Sequence, residues 1–236
     1  MVVIERWEND FGPTLVERAL CLIYVCRSGI SEQEILEIGQ IHSYSQWALF
    51  HVNAKKFLFK KTGGLISFFH SEFQNAVKNR YLSRTAEAIK QISLYRNLVA
   101  QYLIKQPISQ RKLSELPWLL YQSSNWIALK DVLLDLELML QYYNDDTKYE
   151  IIDYWRAIVV GIGGDRNDMS PIVHVYKQAL LQFEERQIQV EKLGRAYYII
   201  AASIPNQATH LSMQSNCYFD TTTRAVRLIS FDLLVV

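Results

Sequence analysis

The stretch Gly64-Leu65-Ile66-Ser67-Phe68-Phe69-His70-Ser71-Glu72-Phe73-Gln74-Asn75-Ala76-Val77-Lys78-Asn79-Arg80-Tyr81-Leu82 reads as a short apolar strand running directly into an amphipathic helix. Leu65 to Phe69 is apolar and β-prone. Beyond it Phe73, Val77 and Tyr81 recur every four residues, with Ala76 beside them, so one helix face is apolar. His70 stands at the joint. Upstream, Phe57-Leu58-Phe59 is a second β-prone run, and Thr62-Gly63-Gly64 between the two runs signals a hairpin turn.

Three helical patterns precede the hairpin. Residues 1–11 are amphipathic and end at Gly12-Pro13. Thr14 can cap a helix whose apolar positions are Leu15, Ala19, Leu22, Ile23 and Cys26, with Gly29 suited to the left-handed turn beyond it. Ser31-x-x-Glu34 is a capping box for a short helix through Ile35, Leu36 and Ile38. A third helix spans about Ser45 to Lys55, with Trp47, Leu49, Phe50 and Val52 apolar. Three helices and then a hairpin is the order of a winged-helix domain, assigned to residues 1–105. Its last helix runs from Arg84 to about Lys105, with Ala88, Ile92, Tyr95, Val99 and Tyr102 on one side and Pro107 past its end.

Segments near 110–122, 125–143, 146–160, 170–186 and 188–203 then alternate with short polar connections. They read as a TPR-like α-helical array over residues 106–204. Asn125 and Ser170-Pro171 are helix starts, and Gly161-Ile162-Gly163-Gly164 is a stop. Residues 205–236 leave the pattern: 206–223 are rich in Asn, Gln, Ser and Thr, and 225–236 are apolar and β-prone. This unplaced tail is expected to be poorly ordered or loosely packed. The fold class is mainly α: a winged-helix domain with one β-hairpin, followed by the helical array.

Half of the 236 residues are hydrophobic and 21% are charged, which suits a packed globular chain. A net charge of +1 gives no global field toward nucleic acid or an anionic membrane. The three cysteines, Cys21, Cys26 and Cys217, are odd in number and lack CxxC spacing. They argue against a disulfide framework or a zinc site, and for a reducing, cytoplasmic setting. The N-terminus meets Glu5 before any apolar core, unlike a signal peptide. The run Ala19 to Val25 falls far short of the ~20 residues that span a bilayer, so no membrane partner is expected.

No complete catalytic set is visible, and neither a catalytic residue nor a metal ligand is assigned. No GxxxxGK[ST] occurs, and Gly161-x-Gly163-Gly164 follows a helix rather than a strand. Asp165-Arg166-Asn167-Asp168 lacks the ligand series of a calcium loop. His42, His51, His174 and His210 have no companions at metal spacing. Cys21 and Cys26 read as core. Lys55, Lys56, Lys60 and Lys61 surround Phe57-Leu58-Phe59, and a basic wing beside a third helix is how winged helices hold DNA. The same lysines suit a solvated hairpin edge that resists strand addition, and the net charge favours that reading. Trp118, Trp126, Trp155, Tyr142, Tyr143, Tyr149 and Tyr154 suit inter-helix packing, with any exposed one a partner anchor.

Several phrases line up in order: Arg6-Trp7-Glu8-Asn9-Asp10-Phe11-Gly12, Cys26-Arg27-Ser28-Gly29-Ile30-Ser31-Glu32, Phe69-His70-Ser71, Ala76 to Leu82, Glu115-Leu116-Pro117-Trp118-Leu119-Leu120, and Asp146 to Arg156. Over about residues 4–200 the chain resembles the region just after the NACHT nucleotide-binding core of nephrocystin-3-like proteins, STAND-class signalling NTPases carrying tetratricopeptide repeats (TPRs). The resemblance implies a winged helix that closes over nucleotide and repeats that bind protein partners. Phe69-His70-Ser71 looks like the family's histidine motif at the strand–helix joint, which contacts the ADP phosphate. Ser71 stands where Asp is common. A histidine packed or capping at a strand end is the competing reading of His70.

The expected function is therefore a non-catalytic regulatory and protein-interaction module without a cofactor of its own. ATP or ADP would enter only through an NTPase core joined in cis or trans. Two alternatives stay open: a winged-helix nucleic-acid binder, for which Lys55, Lys56, Lys60 and Lys61 are the contacts, and an incomplete fragment without autonomous activity.

Overall fold

The computed structural model describes residues 2–61, 63–82, 87–144 and 146–165, with Ile172, Val175, Tyr176, Gln178, Ala179, Arg195, Ala196 and Ile199. The expected segments 170–186 and 188–203, the Ser170-Pro171 start, His174, His210, Cys217 and the tail 205–236 lie outside those residues, apart from the eight named. The chain divides into two compact units, Met1–Ser123 and Ser124–Val236.

The first unit is organised around one helix. Helix α1 (Val2–Phe11) is followed, after Gly12 alone, by α2 (Pro13–Val25). Gly12 takes φ 88° and Pro13 occupies the first turn, so proline with its preset φ opens α2 rather than a Thr14 cap. Leu15, Val16, Ala19, Leu20, Cys21, Leu22, Ile23 and Val25 are all buried. A helix apolar on nearly every side belongs in the middle of a core, and each such Leu, Ile or Val contributes roughly 1.5–3 kcal/mol when withdrawn from water.

The remaining elements of this unit follow α2, and several of them pack on it. They are β1 (Ile30–Ser31), α3 (Glu32–Ile38), α4 (Tyr44–Ala54), β2 (Leu58–Lys60), β3 (Leu65–Phe68), α5 (Ser71–Val77), α6 (Glu87–Lys105) and α7 (Gln110–Gln122). The Ser31 capping box is formed on both sides: Glu34 N donates to Ser31 Oγ at 3.2 Å, and Ser31 N donates to Glu34 Oε2 at 2.7 Å.

The sheet has three strands, not the two of a lone hairpin. Its order is β1-β3-β2, all antiparallel, with Ile30 opposite Ile66 and Phe59 opposite Ser67. A two-residue strand is too short to show alternation in sequence. What allows β1 to approach is Gly29, at φ +97°, where an added Cβ would lie 2.7 Å from Ile66 O. The hairpin turn carries Gly63 and Gly64 at φ 88° and 82°.

After α5 the helix continues as a π-helical turn, Lys78–Leu82. The wider turn breaks the four-residue spacing, so Leu82, 1% exposed, takes the buried position that the spacing assigned to Tyr81. Tyr81 instead donates its hydroxyl to Glu8, which also pairs with the Arg80 guanidinium; Arg80 reaches Glu5 as well at 3.0 Å. This ties α1 to the helix that follows His70.

A second polar tie holds the turn after α2. Glu115 on α7, with no exposure, accepts from Arg27 N, from Ser28 N at 3.0 Å and from Arg111 Nη1 at 2.7 Å. Arg111 also pairs with Glu34 at 3.1 Å. Helix α7 packs against α6 and falls in the first unit, so that unit runs past residue 105.

The second unit contains α8 (Trp126–Leu134), α9 (Leu136–Tyr142) and α10 (Lys148–Gly161). The single helix expected over 125–143 is two, because the Asp135 carboxylate accepts from Glu137 N and Leu138 N and caps a new helix. Trp155 is buried, donates from Nε1 to Tyr176 Oη at 3.0 Å, and Tyr176 donates on to Leu133 O. Tyr142 and Tyr154 both donate to Glu150. The aromatic residues thus mainly pack, while Tyr149 is exposed. Gly161 ends α10 as the sequence suggests, Gly163 follows at φ +87°, and Gly164 N donates to Val159 O at 2.8 Å.

Candidate functional site: the His70 cleft

His70 is the N-cap of α5, at φ −122° and ψ 137°, in the extended backbone inherited from β3. Its carbonyl accepts from Gln74 N at 3.2 Å, but its side chain makes no capping bond. The imidazole is exposed and meets the Phe69 ring edge-on at 4.5 Å. It borders an open cleft of about 370 Å³ lined by Val3, Ile4, Phe57, Glu72, Phe73 and Ala76. The capping reading of His70 therefore fails for its side chain, which is left to the cleft.

The walls of the cleft are set by an aromatic cluster. Trp7 on α1 meets Phe50, Phe57 and Phe73 edge-on at 5.5, 5.4 and 5.7 Å, and Phe57 lies 4.6 Å from Phe73. Such pairs add about 0.5–1.5 kcal/mol each beyond burial, so the apolar wall is held from three elements. Its polar content is one imidazole and the Glu72 carboxylate. The carboxylate opposes an incoming anion while the imidazole can donate to one. The cleft can complete a phosphate site supplied by another surface, but its own groups do not constitute one.

Lys55, Lys56, Lys60 and Lys61 are all exposed. Lys61 donates to Ser28 O at 3.2 Å and lies 5.9 Å from the Phe59 ring centre. Of the apolar residues of α4, Trp47 and Phe50 are buried, whereas Leu49 and Val52 face solvent. The two-residue offset between the two pairs, about 200° of helical turn, was the sequence signal for this: positions 47, 50 and 54 share one face and 49, 52 and 56 the opposite one. None of the four lysines lines the His70 cleft.

Burial pushes the thiols of Cys21 and Cys26 well above their usual range, so neither is a thiolate nucleophile. Burial also lowers the basicity of His51. Among the described residues, no group of three or more His, Cys, Asp and Glu could hold a metal ion. None of their helices is long and apolar enough to cross a membrane.

No family model and no solved structure matches the chain. It is similar to human nephrocystin-3, 29% identical over 186 residues, which covers 77% of this chain and 13% of that protein. It is 25% identical over 162 residues to a TPR repeat-containing protein of Dictyostelium discoideum, covering 66% of this chain and 10% of the relative. It is 22% identical over 200 residues to tetratricopeptide repeat protein 41 of Rattus norvegicus, covering 67% and 15%. The chain thus spans less than a sixth of the length of each of these relatives.

Proposed function

We propose that this chain is a non-catalytic regulatory and protein-interaction module: a winged-helix domain followed by TPR-like helices, acting beside a STAND/NACHT-type NTPase core. Support for the winged helix is the order α2–β1–α3–α4–β2–β3 with the antiparallel sheet β1-β3-β2. Support for the repeat-like helices is that the relatives' own names carry the tetratricopeptide repeat. The observation that carries the regulatory reading is His70: an exposed imidazole at the strand–helix joint, uncommitted to capping, on the rim of a cleft.

In this reading the core, in cis or trans, supplies ATP or ADP, and His70 contacts the ADP phosphate when the winged helix closes. The helical region receives protein partners, and the setting is cytoplasmic. Two measurements test it. Titrated with ATP and ADP, the 236-residue chain alone should show neither tight binding nor turnover; tight binding followed by hydrolysis would overturn the non-enzyme reading. In a longer protein that includes the core, His70→Ala should speed ADP release at least roughly tenfold, the loss expected for one charge-assisted hydrogen bond. Unchanged release would remove His70 from the mechanism. A nucleic-acid role is less well supported, because the solvent face of α4 presents Leu49 and Val52 rather than base-reading side chains.

A further inference from the structure

The outward face of α4 combines two properties that belong together only at an interface. Leu49 and Val52 are 60% and 59% exposed, opposite the buried Trp47, Phe50 and Ala54. At about 100° per residue, Leu49, Val52 and Lys56 project together away from the core. Lys55 and Lys56 follow at the end of α4, and Lys60 and Lys61 stand exposed beyond them on the hairpin. Lys55, Lys56 and Lys60 form no ion pair among the described residues. The Glu32 carboxylate accepts from the Trp47 indole N–H at 2.7 Å and, among the described residues, forms no ion pair with these lysines.

The charges and the apolar side chains constrain the occupant jointly. A nucleic-acid backbone would satisfy the lysines but leave Leu49 and Val52 against phosphate and water. A neutral apolar segment would cover Leu49 and Val52 but leave the ammonium groups unanswered. A basic partner would be repelled. We propose that this face docks an acidic amphipathic helix of a separate partner protein. Its apolar side chains, spaced i, i+3/i+4 and i+7, would seat on Leu49 and Val52. Its Asp and Glu would meet Lys55, Lys56, Lys60 and Lys61. None of these residues lines the His70 cleft, and the proposed contact does not depend on nucleotide.

The test is selection of 16-residue peptides from a random displayed library on the immobilised 236-residue chain, followed by fluorescence anisotropy of the synthesised winners. The expected winners are net acidic, with Leu, Ile, Phe or Met at helical spacing. Their affinity should fall roughly tenfold or more for Leu49→Ser with Val52→Ser, with an unchanged thermal midpoint. Replacing Lys55, Lys56, Lys60 and Lys61 by Gln should weaken binding and flatten its salt dependence. Failure to enrich acidic peptides, or binding that survives the Leu49/Val52 pair, would overturn the proposal. A 20-base-pair DNA duplex that binds the chain, loses affinity with the lysine replacements and ignores the Leu49/Val52 pair would assign the face to nucleic acid instead.

Discussion

Replacing Glu115 by Ala should be among the most damaging single changes in the first unit, although Glu115 does not line the His70 cleft. The side chain has no exposure and answers three donors: Arg27 N, Ser28 N and Arg111 Nη1. Its loss strands two backbone N–H groups, at about 1–3 kcal/mol each where they stay buried. It also leaves Arg111 with Glu34 as its remaining carboxylate. Breaking a buried pair from one side typically costs about 3–5 kcal/mol. These contributions share atoms and do not add, so the expected loss is about 3–5 kcal/mol. Guanidinium denaturation followed by tryptophan fluorescence reads it, and the effect should be confined to the transition of the first unit. Amide exchange at Arg27 and Ser28 should lose protection before the rest of α2 does. A loss below about 1 kcal/mol with those two amides still protected would refute the idea that Glu115 holds the turn.

Two further outcomes follow from single contacts. At Gly161 an added Cβ would sit 2.2 Å from Trp126 Nε1, so Gly161→Ala must displace the indole; a destabilisation of about 1–3 kcal/mol in thermal or urea unfolding is expected, and a neutral result would mean that Trp126 has room to move. The Arg80 guanidinium and the Tyr81 hydroxyl hold the Glu8 carboxyl below its ordinary value of 4.5. A carboxylate lowered in the folded state stabilises fully above its unfolded value and loses that contribution as pH falls through the folded one; the thermal midpoint should therefore drop on acidification below about pH 4.5, and Glu8→Gln should be less stable at neutral pH with a shallower acid response.

Much of the fold was legible because its signals are local. The Ser31 box, the Gly63-Gly64 turn, the end of α6 before Pro107 and the Gly161 stop each depend on neighbours within a few residues. The misses have separate causes. Strand β1 is invisible without its partner at Ile66. The break at Asp135 interrupts an otherwise helical run of apolar residues by a single side chain's capping bonds. Leu82 replaces Tyr81 in the core because a π-helical turn widens the spacing, and no propensity in Lys78-Asn79-Arg80-Tyr81-Leu82 announces that turn. At the candidate site the sequence located His70 at the joint, but not the cleft, whose wall comes from Val3 and Ile4 at the other end of the unit's sequence. It identified the four lysines, but not that Leu49 and Val52 stand in solvent.

The phrases on which the family resemblance rests are scattered over some 150 residues of sequence, yet in the first unit they meet in pairs. Glu8, from the first phrase, binds Arg80 and Tyr81 of the fourth. Arg27 and Ser28, from the second, are held by Glu115 of the fifth. Each pair is a carboxylate at least mostly buried, answering donors from a distant element. Such a group is costly to leave half-satisfied, so both partners must be present together or neither tolerated alone. That requirement accounts for those four phrases without any ligand. Phe69-His70-Ser71 is the exception: it takes no part in either tie, and its imidazole makes no capping bond and meets the Phe69 ring. The resemblance through the paired phrases therefore speaks for the architecture, and only the histidine phrase speaks for nucleotide. Substitutions in the ties should act through stability, whereas His70→Ala should leave stability nearly unchanged and matter only where a nucleotide-bearing surface meets the cleft.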